Sequence, residues 1–371
     1  MKLNSWILMI NNLAKIVLDN GGTITPLIIP SELTDGTGLC NVSVFIDDNG
    51  DILANIRHVH YTLYHAEFNQ NFYCKWGCLA YLNPEDDVHL ITGNYLCKLN
   101  DDTLEVESYQ KVDTSKNDIP PIWDFHGLED ARVMRWDSKF YICGVRRDVK
   151  PNGEGRMELC EIDWTKDHAI ELTRDRVDPP TKDTYLEKNW MPVMDMPFHF
   201  VRWSNPVEVV KVNLKDKYKE AVLKGILNKV SSTTVINKKE KFNGPLGIRG
   251  SSQVIPFGNG GDRICITHEV DFFHHPGGHK DAHYYHRFLI WDKDWNLKSI
   301  SKIFKFMDAM VEFNTGLAIK NDNFIITYGF QDNAAYALKM PVNLLDKLEW
   351  EEWKNYKNNY IITFKHLKTH I

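Results

Sequence analysis

An acidic pair, Glu129-Asp130, follows a glycine and precedes a short apolar strand near the middle of the chain. A polar turn at 137–139 separates that strand from a second β-rich run, which ends at the basic pair Arg146-Arg147. Two antiparallel strands joined by a tight turn bring their outer ends together. The sequence therefore predicts that Asp130 and Arg146 lie at the same end of a hairpin, where an acid and a cation can serve one site.

The same unit, a polar residue followed by a hairpin and a second polar residue, recurs along the chain. The other copies run from Asn41 to Arg57, from Lys188-Asn189 to Ser204, from Ser252 to His268 and from Glu312 to Tyr328. The copies are spaced by roughly sixty residues, with a longer first gap, and repeats of several short strands at such spacing are typical of β-propeller blades. The sequence predicts an all-β fold, a five-bladed β-propeller with a few inserted or terminal helices.

The 371 residues could form two domains, but the repeat favours one domain over the whole chain. The predicted blades span roughly 39–112, 126–177, 187–245, 249–308 and 311–341, with terminal segments closing the ring. Apolar residues at helical spacing predict helices at 214–229 and 343–357. In the N-terminal segment, Asn11-Asn12 interrupts an apolar run, which favours a packed strand or short helix there.

Composition limits the possible partners. The net charge of −6, without a basic stripe, argues against a nucleic-acid partner. No apolar stretch reaches the length of a membrane span. Seven cysteines at irregular spacing do not suggest a disulfide framework, so we expect a cytoplasmic, reducing environment and small buried thiols. Cys74 and Cys78 lack the second pair that a tetrahedral zinc site needs.

Three other patterns have a structural explanation. The histidine-rich run 268–286 lacks the spacing of metal ligands and contains a Pro-Gly-Gly loop signal, so no metal is expected. Asp292-Lys293-Asp294 lies where two strands need a turn. The glycine-rich segment 258–261 is predicted to be a hairpin tip, because no phosphate-binding helix follows it.

In a propeller the ends of the repeated hairpins converge at one end of the central channel. The set predicted there is Arg57, Glu129, Asp130, Arg146, Arg147, Lys188, Asn189, Arg249, Ser252, Gln253, His268, Glu269, Glu312, Asn314 and Tyr328. Cations outnumber carboxylates, which would lower the pKa of Asp130. A general acid there needs desolvation or a neighbouring carboxylate such as Glu129. Arg and Lys together suit phosphate, which is itself a competent nucleophile.

The segment Gly127 to Val133, which reads Gly-Leu-Glu-Asp-Ala-Arg-Val, resembles a known signature. It is similar to the Gly-x-Glu-Asp-Pro-Arg motif of the five-bladed mannoside phosphorylases and mannosidases of glycoside hydrolase family 130 and their glycosyltransferase relatives. The resemblance implies that Asp130 is the catalytic general acid. It also implies phosphate binding by Arg57, Arg146, Lys188 and His268. The chain departs from the family pattern at two places. The family usually has Pro where this chain has Ala131, and it commonly has Asn-Pro where this chain has Asn41-Val42.

The resemblance implies a glycoside phosphorylase that acts on β-mannoside-type linkages by inverting attack of inorganic phosphate, with no further cofactor. The substrate is a small molecule or oligosaccharide, and a homo-oligomer is compatible with this function. Further substrate-binding residues are predicted to be Asn41, Glu129, Arg147, Asn189, Ser252, Gln253, Glu312, Asn314 and Tyr328.

Three alternatives stay open from the sequence. An inverting glycoside hydrolase would use Glu269 or Glu312 to activate water. A mannosyltransferase-like glycosyltransferase would bind a nucleotide sugar, with the cations facing its diphosphate. A sugar-binding propeller would hold carbohydrate without turnover.

Overall fold

The computed structural model describes residues 11–64, 79–82, 89–181, 184–214, 229–242, 247–274 and 280–351. These residues form an all-β protein, which confirms the all-β part of the prediction. They contain one α-helix, α1 at Leu13–Leu18, and two 3-10 helices, at Ser31–Leu33 and Val342–Lys347.

The strands are labelled β1 to β26 in chain order. They are Asn11–Asn12, Thr23–Pro26, Leu39–Ile46, Ile52–Val59, Tyr61–Tyr64, Leu79–Leu82, Leu90–Leu99, Val106–Asp113, Phe125–His126, Glu129–Trp136, Lys139–Arg146, Arg156–Trp164, Ala169–Val177, Met191–Pro192, His199–Ser204, Val207–Asn213, Lys229–Lys238, Arg249–Gly250, Ile255–Phe257, Asp262–His274, Lys280–Trp291, Leu297–Ile300, Phe304–Lys305, Glu312–Lys320, Asn323–Phe330 and Ala334–Pro341.

Most strands belong to successive antiparallel meanders. The first meander contains β3, β4, β7 and β8, the second β10 to β13, and the third β14 to β17. The fourth is built on the long hairpin of β20 and β21, and the last on β24 to β26. Strand β2, from the N-terminal part of the chain, pairs with β26 and completes the last meander.

Each meander packs against the next through buried apolar side chains. One cluster joins Leu96 to Ile142, a second Trp136 to Phe200, a third Val209 to Leu289, a fourth Phe288 to Phe324, and a fifth Ile325 to Ile56. Burying one such side chain contributes about 1.5–3 kcal/mol. The fifth cluster brings the last meander against the first, so the packing returns to its starting point.

The hairpin turns form where the sequence predicts them. Asp137 and Ser138 both have positive φ, at 48° and 64°, and so do Asn321 and Asp322, at 48° and 57°. Two consecutive left-handed residues match the right-handed twist of the flanking strands, and Asp and Asn tolerate this conformation. The segments 258–261 and 292–294 are also turns, as predicted.

The helix predictions need correction. The 3-10 helix at Val342–Lys347 is followed by Leu348 in an extended conformation, and Trp350 forms an antiparallel bridge with Ser301. A helix over 343–357 is therefore wrong within the described part, and residues beyond 351 lie outside it. The predicted helix at 214–229 falls almost wholly outside the described residues, and its last residue begins β17.

At the N-terminus, the side chain of Asn12 accepts a hydrogen bond from the backbone N–H of Lys15 and caps α1. Asparagine is a favoured N-cap, because its side-chain oxygen satisfies an amide that has no partner within the helix. The residue that interrupts an apolar run in the sequence thus begins a helix. The apolar run itself lies outside the described residues.

Candidate functional site

Polar residues with left-handed backbone occupy matching positions at the start of three meanders. Asn41, Asp130 and Asn189 have φ values of 46°, 51° and 63°. At the first two, the strand register also shifts, which marks a β-bulge. A bulge re-aims a side chain out of the regular ladder. The amide of Asn41 consequently donates to Oδ1 of Asp130 at 2.8 Å, although 89 residues separate them.

The carboxylate of Asp130 is buried and anchored by one oxygen. Its Oδ1 accepts from Asn41 Nδ2 and from Arg57 Nη1, both at 2.8 Å. Within the described ranges, Oδ2 makes no hydrogen bond. One oxygen is therefore fixed by the protein, and the other is left to meet a ligand.

Arg57 uses its guanidinium to hold the acidic pair. Besides Asp130, it lies 3.6 Å from Glu129 Oε2 and donates to the hydroxyls of Thr92, at 3.1 and 3.3 Å, and Tyr61, at 3.4 Å. Only 6% of its side chain is exposed. These contacts occupy the donors that a phosphate would need, so Arg57 fits the role of a carboxylate partner better than the predicted role of a phosphate ligand.

Arg132, two residues after Asp130, is a buried cation that sequence reasoning did not assign to the site. Its Nη1 donates to the carbonyl of Asp130 at 2.6 Å, and its Nε and Nη2 donate to the carbonyl of Ser251 at 3.0 and 2.6 Å. It also lies 5.7 Å from the ring centroid of Phe313. Burial lowers its pKa to about 10. The hydrogen bond therefore holds the left-handed backbone of Asp130, and the charge adds positive potential at its carboxylate.

The two acids are shifted in opposite directions. Burial acts to raise the pKa of Asp130, but Arg57, Lys188 and Arg132, together with the hydrogen bond from Asn41, outweigh burial and lower it. Burial raises the pKa of Glu129, and the nearby cations only partly offset that effect. Paired carboxyl groups with divergent pKa values are a common arrangement for acid–base chemistry. Asp130 is therefore the more acidic member of this pair.

Two cations that act on His268 keep free donors. Lys188 is half-buried and, among the described residues, makes neither a hydrogen bond nor an ion pair, yet its charge lowers the pKa of Asp130 and of His268. Arg249 pairs with His268 in the strand register, and its guanidinium carbon lies 5.7 Å from the ring centroid of Phe272. Its charge also lowers the pKa of His268. These two side chains suit an anionic ligand.

His268, on which both cations act, is neutral. Burial lowers its pKa well below the usual range, and His286, Arg249 and Lys188 lower it further. Its Nδ1 lies 2.9 Å from the hydroxyl of Ser251, and its ring stacks on Tyr284 at 5.6 Å. With Nδ1 engaged by Ser251, Nε2 is the ring nitrogen left for a ligand.

The hairpin ends converge as predicted, but Arg146 has other partners. Glu129 pairs with Val145 in the register, so Arg146 is close along the strand. Successive side chains alternate between the faces of a sheet. The guanidinium of Arg146 accordingly pairs with Glu158 at 2.8 Å and Asp148 at 3.2 Å, beside a cavity of about 330 Å³. Of the two neighbouring arginines, Arg147 is the one whose charge acts on Glu129.

Several predicted substrate ligands instead support the fold. The amide of Gln253 donates to the carbonyls of Val44 and Val133 and accepts from the N–H of Leu317, which joins its own meander to three others. The hydroxyl of Ser252 donates to the carbonyl of Gln253 at 2.7 Å. Asn314 donates to two carbonyls within its own hairpin. Each of these groups is buried.

Two glutamates that a hydrolase could use are also engaged. Glu312 accepts the backbone N–H groups of Phe306, Met307 and Ala309 at 2.5–2.8 Å. Glu269 pairs with the buried Arg287. Both carboxylates thus have strong internal partners, which leaves little capacity to activate water.

Tyr328 and Asn189 are buried with unpaired polar atoms. Within the described ranges, the hydroxyl of Tyr328 and the Oδ1 of Asn189 have no hydrogen-bond partner. The ring of Tyr328 is stacked on Phe306 at 4.2 Å. Buried polar atoms without a partner indicate a place for ordered water or a ligand.

Three further features concern the described part of the chain. It contains no group of three or more His, Cys, Asp or Glu side chains arranged to hold a metal ion. Its cysteines, at positions 40, 97, 143, 160 and 265, are buried and free, while Cys74 and Cys78 lie outside it. None of its helices is both long and apolar enough to cross a lipid bilayer.

No protein-family model and no curated protein matches the sequence, but solved structures resemble the chain. A mannose phosphorylase from Leishmania mexicana, in complex with phosphate ion, has a TM-score of 0.48 and 11% identity, over 92% of this chain and 95% of that one. A GDP-Man-dependent mannosyltransferase from the same organism has a TM-score of 0.46 and 11% identity, over 90% and 95%. The β-1,2-mannobiose phosphorylase from Listeria innocua has a TM-score of 0.46 and 12% identity, over 84% and 92%. These solved structures include mannoside phosphorylases and a mannosyltransferase, the group that the sequence resemblance names.

Proposed function

We propose that the chain is a carbohydrate-active enzyme, a glycoside phosphorylase that cleaves β-mannoside-type linkages with inorganic phosphate, built on a five-bladed β-propeller. The blade count is supported by the cyclic packing, in which the last meander contacts the first. The activity is supported by the arrangement around Asp130.

The observation that carries this proposal is the asymmetric environment of the Asp130 carboxylate. Oδ1 is held by Asn41 and Arg57, while Oδ2 makes no hydrogen bond within the described residues. Lys188 acts on this carboxylate with a charge that has no partner in the same part of the chain. A single positioned acid beside unpaired cations matches what phosphorolysis needs, since phosphate supplies the nucleophile.

In the proposed reaction, Asp130 donates a proton to the departing glycosidic oxygen, directly or through a sugar hydroxyl. Phosphate attacks the anomeric carbon from the opposite face, so the C–O bond to the leaving sugar breaks as the bond to phosphate forms. The products are a sugar 1-phosphate and the released sugar, with inversion. Lys188, Arg249 and His268 are the side chains that would hold the phosphate, because their donors are the ones left available.

The low pKa of Asp130 fits this scheme once the anion is considered. An ionised aspartate cannot act as a general acid. A phosphate bound to Lys188 and Arg249 would counter the positive potential that lowers the pKa of Asp130. Phosphate binding would therefore help Asp130 to take up the proton that it later donates.

The hydrolase alternative is less well supported, because Glu269 already pairs with Arg287 and Glu312 with backbone N–H groups.

The test of the proposed function is to incubate the protein with β-linked mannobiose, with and without phosphate, and to follow mannose 1-phosphate by phosphorus NMR. We expect cleavage only with phosphate, together with the 1-phosphate product. Mannose release at an undiminished rate without phosphate would identify a hydrolase. Transfer from a nucleotide sugar, with no phosphorolysis, would identify a transferase.

A further inference from the structure

An exposed tyrosine is held rigidly near the acidic pair. The side chain of Tyr185 is 51% exposed. Its hydroxyl nevertheless donates to the carbonyl of Asn152 at 2.5 Å and accepts from Arg147 Nη2 at 3.3 Å. Exposed side chains ordinarily keep rotamer freedom, which is lost when they are fixed. A large ring that is both exposed and fixed loses little further conformational entropy when a ligand binds to it.

Arg147 connects this ring to the acidic pair. Its guanidinium carbon lies 4.5 Å from the ring centroid of Phe125 and 6.0 Å from that of Tyr185, and its Nε donates to the carbonyl of Gly153 at 3.0 Å. Its charge lowers the pKa of Glu129, which precedes Asp130. Val145, two residues before Arg147, pairs with Glu129 in the strand register, so the aromatic group borders the side of the site on which Glu129 lies.

A close contact between a ring and the backbone supports the same side of the site. Gly153 has a φ of 67°, and a Cβ added there would lie 2.3 Å from the ring of Trp123. The ring thus packs directly on the glycine, where only glycine fits. This contact and the hydrogen bonds of Arg147 and Tyr185 fix the turn at 152–153 between β11 and β12.

We propose that Tyr185, backed by Arg147 and Phe125, forms a second sugar subsite, which stacks on the pyranose ring next to the one whose bond is cleaved. This subsite rests on the proposed function. Arg147 covers one face of the Tyr185 ring, and the exposed part can meet a flat group. A pyranose presents a face of C–H groups, and the negative face of an aromatic ring attracts such weakly positive hydrogens. Fixed aromatic rings are frequent in pockets that bind organic ligands.

The experiment measures binding separately from turnover. Mannobiose and mannotriose are titrated calorimetrically into the Asp130→Asn protein and into the same protein carrying Tyr185→Ala or Tyr185→Phe. We expect Tyr185→Ala to weaken binding roughly threefold to tenfold, since an aromatic contact contributes about 0.5–1.5 kcal/mol. Tyr185→Phe keeps the ring but loses the two hydrogen bonds that fix it, so its affinity should lie between those of the parent and Tyr185→Ala. Leu18→Ala, which removes an exposed apolar side chain from α1, serves as a control and should not alter affinity.

The outcomes separate this subsite from the proposed function. Equal affinity in the Tyr185→Ala and parental proteins would overturn the subsite and leave the phosphorylase proposal standing. Binding of glucose- or galactose-based oligosaccharides instead, still weakened by Tyr185→Ala, would support the subsite and overturn the mannoside assignment. Binding of none of these oligosaccharides would overturn both.

Discussion

The guanidinium of Arg57 lies 2.8 Å from the carboxylate of Asp130, and the two residues belong to different meanders. Only 6% and 10% of their side chains are exposed, so water screens their attraction weakly. The contact fixes one carboxylate oxygen and lowers the pKa of the acid. The pair therefore ties the packing of two meanders to the protonation state of the proposed catalytic group.

Replacing Asp130 with asparagine tests its role as the proton donor. Asparagine keeps an oxygen that can accept from Arg57 and Asn41 but cannot donate a proton as an acid does. We expect turnover of a confirmed substrate to fall roughly 10²-fold to 10⁴-fold. The far-ultraviolet circular dichroism spectrum should match that of the parent, which controls for misfolding. Equal turnover in the two proteins would remove Asp130 from the mechanism.

Replacing Arg57 tests whether its charge lowers the pKa of Asp130. In Arg57→Met the cation is lost, so the pKa of Asp130 should rise, because Arg57 is the leading group that lowers it. Asp130 then keeps its proton to higher pH, and the falling limb of kcat/KM against pH should move towards alkaline pH. Arg57→Lys keeps the charge and should leave that limb closer to the parental position.

Arg57→Met should also be less stable, by roughly 3–5 kcal/mol, because it leaves buried carboxylates without their cation. Urea unfolding measures this loss. An unshifted pH profile in the methionine variant, in protein that remains folded, would contradict the electrostatic explanation.

The sequence predicts much of this site because the repeat specifies where each meander begins. Asn41, Asp130 and Asn189 occupy equivalent places in that repeat, and the structure gives them the same left-handed backbone. Short polar side chains that tolerate positive φ are the signal for such positions.

The partners of these residues could not be predicted in the same way. Arg57 reaches Asp130 across 73 residues of sequence, and its approach depends on how two meanders pack. Arg146 is near in sequence, but strand alternation turns its side chain to Glu158. Tyr185 lies outside the repeat, in a segment without strand periodicity, and only the contact with Arg147 places it at the site.

Lys188 and Arg146 provide a matched pair of tests for phosphate binding. Lys188→Met removes a cation that has no partner within the described residues, so stability should change little. Its loss should raise the KM for phosphate by roughly 10-fold to 100-fold, as expected for hydrogen bonds to a charged group. Arg146→Met should instead lower stability by several kcal/mol, roughly 3–5, because Glu158 and Asp148 lose a buried cation.

Thermal unfolding and phosphate titrations at saturating sugar distinguish these two variants. We expect phosphate KM to change in the lysine variant and Tm to change in the arginine variant. The reverse pattern would restore Arg146 as the phosphate ligand and remove Lys188.

His286, which pairs with His268 in the strand register, allows a test of acid stability. Its side chain is fully buried against Phe304 and Phe306, and neither ring nitrogen has a hydrogen-bond partner among the described residues. Burial lowers its pKa from 6.5 to about 3. The folded protein therefore keeps this ring neutral at a pH where the unfolded chain takes up a proton. Stability is lost as pH falls from about 6.5 towards 3.

Replacing His286 with phenylalanine should remove this loss. Relative to the parent, His286→Phe should gain about 2–3 kcal/mol more at pH 4.5 than at pH 7, since each pKa unit corresponds to about 1.4 kcal/mol. Urea unfolding at the two pH values measures the difference. An equal change in stability at both pH values for His286→Phe would mean that this ring is already protonated in the folded protein, or that it has a partner that keeps its pKa near the usual value.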